Sequence, residues 1–405
     1  MPLKQLPAFG GFDDEHRVLA SCALFKPSDD LAAPGIGEGI RRSRRERLMA
    51  GAAAHQLRPQ LCAHLESHVE SLSDATMLAQ LRTVARAHEG NSLMLTGELA
   101  LAVGALQANG LPAMPFKGPA FASLVGCGPR LREMGDLDFL VAAQDVRKAV
   151  DALRPLGFES PLHARALETP WLAVATDELL LTRRADAGAI ELHWRLGQRW
   201  FPTCVSLTDV GARTLAVDVL GVTVQWPYPE ELLLIHAADG LKAGGASLRW
   251  AADLVTILVK HGMELDWGRV CGIAHANGGL LGLRASLLVA ACVSSEAAQV
   301  TGVNPLASAL PPRGRKLLQE CGGRCSRRAA DMLNLMRRDS RLDGAAAHFR
   351  WALRLADRPV RVASQLAAFV SGPAFADLMR MPIGGERDIS LRWRAFRRRV
   401  GAAVA

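Results

Sequence analysis

The spacing of apolar residues changes twice along this chain, and the two changes constrain the fold more than any other feature. Up to about residue 110, and again from about residue 229, apolar residues recur every three or four positions, as on one face of a helix. Between these stretches, short apolar runs are bounded by Gly, Pro and Asp, which is typical of strands and turns. The pattern predicts an α+β fold that is mainly helical overall, with a small mixed β-sheet core at 85–228 between helical regions at 1–84 and 229–405.

Turn-forming residues and the period of the apolar positions place the individual elements. Strands are predicted at 113–116, 136–141, 178–183, 190–194, 215–219 and 222–226. Helices are predicted at 14–25, 45–72, 74–88, 91–109, 144–156, 230–243, 247–261, 266–277, 280–293, 312–337 and 343–371. A segment rich in Pro, Gly and Asp, at 27–39, is predicted to separate the first helix from an arginine-rich run.

The composition is that of an ordinary globular chain with a basic balance. The 405 residues are 49% hydrophobic and carry a formal net charge of +8, which suits a phosphate-bearing ligand. Much of the positive charge lies in two arginine-rich runs, at 41–45 and 392–399. Such runs are most often a solvated helix face or tail. Neither run lies in a known recognition motif, so nucleic acid is not the predicted partner.

The cysteines and the N-terminus bear on the cellular compartment. The eight cysteines are scattered, and the one close pair, Cys321 and Cys325, lacks the two-residue gap of a metal knuckle. Reduced thiols, as in the cytoplasm, are therefore predicted. The N-terminus lacks the apolar region of a signal peptide, and no uncharged apolar stretch reaches the roughly 18 residues of a membrane span. We therefore expect a cytoplasmic protein with no membrane partner.

Two acidic residues, Asp136 and Asp138, stand at the start of a predicted core strand. Residues i and i+2 of a strand point to the same face, so both carboxylates are expected to face one cleft. An adjacent strand could supply a third carboxylate from Glu191, since its neighbours are expected to be buried and an unpaired charge there is costly. Mg²⁺ requires oxygen ligands, and two ions about 3.5–4 Å apart stabilise phosphoryl chemistry. Convergence on a two-ion Mg²⁺ site would explain the presence of all three acids.

Other interpretations of these residues stay open. An Asp-x-Asp pair also arises by chance and often marks a turn, although turn acids are seldom followed by a core strand. His193 is interpreted as a core histidine whose ring bonds to the backbone. Arg249 and Asp253 are spaced i,i+4 on a predicted helix, so they either face the cleft or form a structural salt bridge.

Several motifs in a fixed order carry a family resemblance. The first two run from Met114 to Phe121, with Lys-Gly-Pro at the centre, and from Arg132 to Val141, which reads Arg-Glu-Met-Gly-Asp-Leu-Asp-Phe-Leu-Val. Further matched elements are Leu156-Gly-Phe158, Ile190-Glu-Leu-His-Trp194, His236 with Lys242, and Leu248-Arg-Trp-Ala-Ala-Asp253. Over roughly 85–274 the chain resembles the bacterial uncharacterised nucleotidyltransferase family, within the polymerase-beta-like superfamily.

The resemblance implies a role for each matched position. Asp136 and Asp138 would bind Mg²⁺, and Glu191 would complete the metal site and help to deprotonate an acceptor hydroxyl. Gly118 would let the backbone approach a triphosphate, while Lys117 would neutralise phosphate charge. Further nucleotide contacts are implied for Arg132, His236, Lys242 and Arg249.

The implied activity is the Mg²⁺-dependent transfer of a nucleoside monophosphate from a nucleoside triphosphate, expected to be ATP, to a hydroxyl of a small molecule, a peptide or a protein. Kinase-like phosphoryl transfer at the same site is one alternative, and a non-catalytic nucleotide-binding or assembly module is another. The chain also departs from the superfamily, which has Gly-Gly or Gly-Ser before the acids. Here the corresponding residues are Lys117-Gly118-Pro119, and 18 positions separate Gly118 from Asp136. This departure leaves the phosphate geometry open.

Overall fold

The computed structural model describes residues 11–26, 29, 33–67, 75–112, 114–124, 131–160, 177–183, 188–196, 202, 204–211, 213–219, 221–340 and 345–356. Within these residues the chain is mainly helical and contains one small mixed sheet and a separate hairpin. The predicted α+β class is therefore confirmed. The arginine-rich run at 392–399 and the second half of the helix predicted at 343–371 lie outside the described residues.

Along the sequence, most of the helices either precede the first strand or follow the last one. They are α1 (Asp14–Leu24), α2 (Ala33–Arg42), α3 (Arg45–Ala54), α4 (Arg58–Ser67), α5 (Ala75–Ala108), α6 (Gly118–Leu124), α7 (Val146–Leu153), α8 (Leu207–Gly211), α9 (Pro229–Lys242), α10 (Leu248–His261), α11 (Trp267–Ala276), α12 (Leu280–Thr301), α13 (Pro312–Gln319), α14 (Gly323–Arg337) and α15 (Ala345–Leu355). Short 3₁₀ turns at Ala143–Asp145 and Arg154–Leu156 flank α7.

Four strands form the mixed sheet in the order β1-β2-β4-β3. They are β1 (Met114–Pro115), β2 (Leu137–Leu140), β3 (Glu178–Thr182) and β4 (Ala189–His193). β2 and β4 run parallel, whereas β1 and β3 run antiparallel to their neighbours. The remaining strands, β5 (Thr214–Val219) and β6 (Val222–Pro227), form the predicted hairpin. Since β2 is an interior strand and all its residues are buried, the acidic motif enters the centre of the sheet.

Two predictions about the first helices are wrong. The segment predicted as a linker contains α2, whose Ile36 and Ile40 are buried in the core. This burial outweighs the low helix propensity of its glycines. The single helix predicted at 45–72 is two helices, because Gln56 takes a positive φ of 56° directly after α3 and the chain cannot continue as a right-handed helix.

The break predicted between 74–88 and 91–109 is also wrong, because both segments belong to α5. A glycine inside a helix, here Gly90, costs only about 1 kcal/mol relative to alanine. A tertiary contact supports the junction, since the side-chain amide of Asn91 donates to the carbonyl of Met134 at 2.6 Å. The long helix therefore reaches the segment that precedes β2.

In the C-terminal half, the helix predicted at 312–337 is divided into α13 and α14 by a turn around Gly322. The helix predicted at 280–293 extends to Thr301, where Gly302 has a φ of 74° and ends it. The predicted starts at 230, 247 and 266 agree with the observed helices to within one residue.

The buried apolar side chains form one cluster that extends from Phe12 to Ala356. Its centre is α12, which packs against α1, α9, α10 and α14. α12 is also the one helix among the described residues that is long and apolar enough to cross a membrane. However, 72% of its most apolar stretch is buried inside the protein. Such burial is typical of a helix in the core of a globular protein.

Candidate active site

The parallel pairing of β2 and β4 brings the predicted acids together. Asp138 is the direct register partner of Glu191, so the two side chains lie side by side on the same face of the sheet. Asp138 is buried and Glu191 is partly exposed. Asp136 stands just before β2, is partly exposed, and lies close enough to feel the charges of both other acids. The structure therefore pairs Asp138 with Glu191 and places Asp136 near both.

His193 extends this group. It is buried, as the interpretation as a core histidine predicts, but among the described residues its ring contacts carboxylates and not the backbone. Its Nε2 lies 3.0 Å from Asp138 Oδ1 and 3.2 Å from Glu191 Oε2. Its Nδ1 lies 3.3 Å from Glu178 Oε2. His193 follows Glu191 by two positions in β4, so the period of a strand puts both side chains on one face. This two-residue spacing is the sequence pattern from which the position of His193 beside Glu191 could have been predicted.

The electrostatics of the acidic pair are asymmetric. Burial and the nearby charges of Asp138 and Glu191 raise the pKa of Asp136 to about 6. Burial acts in the same direction on Asp138, but Lys117 and His193 outweigh it and lower the pKa of Asp138 to about 2. Burial also opposes a charged imidazole, yet the hydrogen bonds to Asp138 and Glu191 raise the pKa of His193 to about 9. The site is thus a group of acids stabilised by neighbouring cations.

This donor set fits a divalent cation. One ligand atom from each of Asp138, Glu191 and His193 lies within 4.8 Å of the other two, and Asp136 adds a carboxylate beside them. Carboxylate oxygens are the ligands that Mg²⁺ and Mn²⁺ prefer, and imidazole nitrogen is a common ligand of transition metals. A bound cation would also relieve the repulsion that raises the pKa of Asp136.

Lys117 and Gly118 border the acids, as the sequence predicts. The ammonium of Lys117 lies 2.7 Å from Asp239 Oδ1 on α9 and 3.4 Å from Asp138 Oδ1. Burial opposes its charge, but the two carboxylates keep the pKa of Lys117 above its ordinary value. Gly118 has a φ of 60°, and a Cβ there would meet the carbonyl oxygen of Asp136 at 3.4 Å. The segment thus approaches the acids through a conformation that favours glycine.

Lys242, at the end of α9, contacts the site through a second pair of acids. Its ammonium lies 2.8 Å from Glu178 Oε2 and 3.5 Å from Asp177 Oδ2. Although burial opposes the charged forms, this pairing raises the pKa of Lys242 and lowers that of Glu178. Since Glu178 also faces the His193 ring, Lys242 is linked through one carboxylate to the group of Asp138, Glu191 and His193.

Arg132 lies inside the protein rather than at an open surface. Its guanidinium makes a bidentate pair with Asp253 on α10, at 2.5 and 2.8 Å. The same guanidinium lies over the Phe121 ring, 4.8 Å from the centroid. Asp253 therefore pairs with Arg132 and not with Arg249, the residue one turn before it on α10. Arg249 instead donates to the backbone carbonyl of Glu133 at 2.7 Å.

His236 belongs to the same internal network. It is buried on α9, and its ring packs against Phe121 with the centroids 4.3 Å apart. Burial is the main reason that the pKa of His236 falls to about 4. The structure thus places Arg132, Arg249 and His236 in a network behind the acids, so a direct nucleotide contact for these three and for Lys242 stays a prediction.

Three further acidic residues contact the site residues but were not predicted from the sequence. Glu178 lies at the start of a predicted strand, but only the antiparallel register of β3 and β4 shows that it faces His193. Asp239 lies one turn from His236 on α9, yet its pairing with Lys117 spans 122 positions and has no sequence signal. Asp177 is likewise brought in by the sheet edge.

Comparison with known proteins agrees with this geometry. The searches of curated proteins and of solved structures gave no match. A sequence profile of one protein family matches residues 42–294, a region that contains every residue of the site described above and more than half of the chain. The chain belongs to the family described as uncharacterised nucleotidyltransferase.

Proposed function

We propose that this protein transfers a nucleoside monophosphate from a nucleoside triphosphate, ATP in the first instance, to a hydroxyl group of a small molecule, peptide or protein. The observation that carries the proposal is the convergence of Asp136, Asp138 and Glu191 beside the Lys117-Gly118 segment. Carboxylates that converge on one point suit divalent cations, and a neighbouring lysine suits phosphate. The family membership supports the same class of reaction.

The residues present have defined tasks in this reaction. Divalent cations held by Asp136, Asp138 and Glu191 would neutralise charge on the attacking and leaving oxygens. Glu191 is partly exposed, so it can accept the proton of the acceptor hydroxyl. The acceptor oxygen then forms a bond to the α-phosphorus, the bond from that phosphorus to the bridging oxygen breaks, and pyrophosphate leaves.

Lys117 supplies positive charge to the phosphates. Its ammonium is paired with Asp239 and Asp138, so part of its charge is already engaged. We propose that a triphosphate competes for this ammonium. Arg132, Arg249 and Lys242 contribute mainly by fixing α9 and α10 behind the acids, because their polar atoms are directed at protein partners. His236 contributes through its ring, which packs against Phe121.

Binding is tested by calorimetric titration with Mg²⁺ and a non-hydrolysable ATP analogue. Wild-type protein is expected to bind, and the double variant Asp136→Asn with Asp138→Asn is expected to lose binding. Asp151→Asn, on the half-exposed face of α7, is the matched control and should bind like wild type. Equal binding by the double variant would contradict the site assignment.

The reaction is tested with ATP labelled at the α- or the γ-phosphate, incubated with small-molecule, peptide and protein fractions of a cell extract. Label transferred from the α position is the expected result. Label transferred only from the γ position would contradict the proposal in favour of a kinase reaction. Nucleotide binding with no transfer of either label in any fraction would favour a non-catalytic module.

A further inference from the structure

We infer that His193 is a direct ligand of the metal ion and that the site selects Mn²⁺ over Mg²⁺. This inference rests on the proposed function in one respect, since it concerns the same site, but it makes its own claim about metal chemistry. It assigns a nitrogen ligand to a centre that the acids alone would make an all-oxygen site.

The first argument is the geometry of the three ligand atoms. Nε2 of His193 lies 3.0 Å from Asp138 Oδ1 and 3.2 Å from Glu191 Oε2. Adjacent ligands of an octahedral ion lie about 3.0 Å apart when each is roughly 2.1 Å from the metal. The two separations from Nε2 therefore match edges of an octahedron, with the imidazole on a corner next to each carboxylate.

The second argument is the environment of the other ring nitrogen. Nδ1 of His193 lies 3.3 Å from Glu178 Oε2, and Lys242 holds that carboxylate at 2.8 Å. A carboxylate on Nδ1 holds a proton there, so Nε2 becomes the ligand atom when a cation displaces the proton that it shares with Asp138 and Glu191. His193 is buried, so its ring orientation is fixed by these contacts.

A second possible metal-binding group shows why this detail matters. His16, His55 and Asp339 also place three ligand atoms within 4.8 Å of one another. There, however, Nδ1 of His55 accepts the backbone N–H of Leu248 at 3.3 Å, so Nε2, the atom that faces Asp339, carries a proton. In His193 the Nδ1 atom faces a carboxylate instead, which leaves Nε2 as the ligand atom.

The third argument concerns the choice of ion. Mg²⁺ binds oxygen almost exclusively, whereas imidazole favours transition metals. A set with several carboxylates and one imidazole suits Mn²⁺, because this ion accepts oxygen-rich surroundings and still gains from a nitrogen ligand. The presence of His193 between the acids therefore favours Mn²⁺ over Mg²⁺.

The test uses the full-length protein and Mn²⁺ alone, without nucleotide. Pulsed electron paramagnetic resonance is expected to detect a histidine nitrogen coupled to bound Mn²⁺ in the wild type, and the coupling should shift in protein labelled with ¹⁵N-histidine. Competition with Mg²⁺ then gives the preference between the ions. His193→Gln should remove the coupling and reduce the preference for Mn²⁺ over Mg²⁺.

Glu178→Gln is the second variant, and His275→Gln, which changes an exposed histidine on α11, is the matched control. Glu178→Gln should retain the nitrogen coupling but weaken Mn²⁺ binding, since the ring loses its charged partner. His275→Gln should behave like wild type. Absence of histidine coupling in the wild type would overturn the inference, and this result does not depend on whether either variant folds.

The outcomes also separate this inference from the proposed function. Nitrogen-coupled Mn²⁺ in a protein that transfers no nucleotide would support the metal assignment and contradict the function. Nucleotide transfer with equal use of Mg²⁺ and Mn²⁺, and no histidine coupling, would support the function and contradict the metal assignment.

Discussion

Asp136 and Asp138 lie two positions apart, yet their pKa values move in opposite directions. Burial and the charges of two neighbouring acids raise that of Asp136 to about 6. Despite the same effect of burial, Lys117 and His193 lower that of Asp138 to about 2. Each carboxyl therefore takes its properties from residues that are close in space. The same dependence on partners leads to two predictions at the scale of single residues.

The first prediction concerns the buried pair of Arg132 and Asp253. Asp253→Asn removes the carboxylate that neutralises a guanidinium inside the protein, so the free energy of unfolding should fall by about 3–5 kcal/mol. Urea denaturation measures the change. The control, Asp151→Asn, breaks the half-exposed i,i+4 pair with Arg147 and should cost less than about 1 kcal/mol. Similar losses in both variants would argue against the internal role of Arg132.

The second prediction is a pH dependence from His236. Burial, the main cause, lowers the pKa of His236 from 6.5 to about 4, so at pH values between these two the unfolded state binds a proton that the folded state does not. The free energy of unfolding should therefore decrease as the pH falls from 6.5 towards 4. Between pH 7 and pH 5 this one group should lower the free energy of unfolding by about 2 kcal/mol.

Denaturation of wild type and His236→Gln at both pH values measures that contribution. The variant should lose about 2 kcal/mol less than wild type over the same interval, whatever its stability at pH 7. His275→Gln, at an exposed position, should retain the wild-type dependence. Identical pH dependence in wild type and His236→Gln would contradict the buried, neutral state of this ring.

At the scale of elements, the close approach of α9 and α10 determines where the site residues lie. α9 carries Asp239 and Lys242, and α10 carries Asp253. The indole of Trp250 covers Gly240 so closely that a Cβ there would lie 1.9 Å from the ring. The same indole donates to the carbonyl of His236 at 2.7 Å. A residue without a side chain at position 240 is therefore required for this packing.

Gly240→Ala is predicted to destabilise the protein by about 1–3 kcal/mol or more, because the new methyl group overlaps the indole and forces the helices apart. Gly104→Ala is the control, since position 104 in α5 is exposed and a Cβ there meets no other atom within 4 Å. The control should gain about 0.5–1 kcal/mol from helix propensity. Thermal unfolding of the two variants tests this, and a neutral Gly240→Ala would contradict the packing.

At the scale of the whole molecule, α12 joins the two helical regions. It packs against α1 from the N-terminal region and against α9, α10 and α14 from the C-terminal region. Buried residues from Phe12 to Ala356, among those that the structure describes, belong to one cluster. The boundaries predicted near residues 84 and 228 remain predictions, but the side chains on either side of them share one core.

A shared core predicts one cooperative unfolding transition for the described part of the chain. Scanning calorimetry should give a van't Hoff enthalpy close to the calorimetric enthalpy. A fragment limited to 85–228 should not fold alone, since it lacks α9 and α10, and amide exchange would show little protection. Two separated transitions, or a folded fragment with dispersed amide signals, would contradict the shared core.

The sequence was sufficient for those features that depend on local spacing. The i,i+2 spacing of Asp136 and Asp138 predicts that both acids face one cleft, and the periods of the apolar residues identified the fold class and most helices. At Gly90 and in the glycine-rich α2, the local sequence predicts a break or a linker, but the chain is helical. There tertiary packing outweighed the low helix propensity of glycine, which costs about 1 kcal/mol per residue relative to alanine.

Only the tertiary structure decided which residues meet. The parallel register of β2 and β4 sets Glu191 and His193 against Asp138, and no local pattern specifies which strands pair. Lys117 reaches Asp239, and Arg132 reaches Asp253, across more than a hundred positions each. The energy of a buried charge depends on its partners in space, so the sequence by itself determined the acids of this site, whereas the fold decided their protonation and the histidine that joins them.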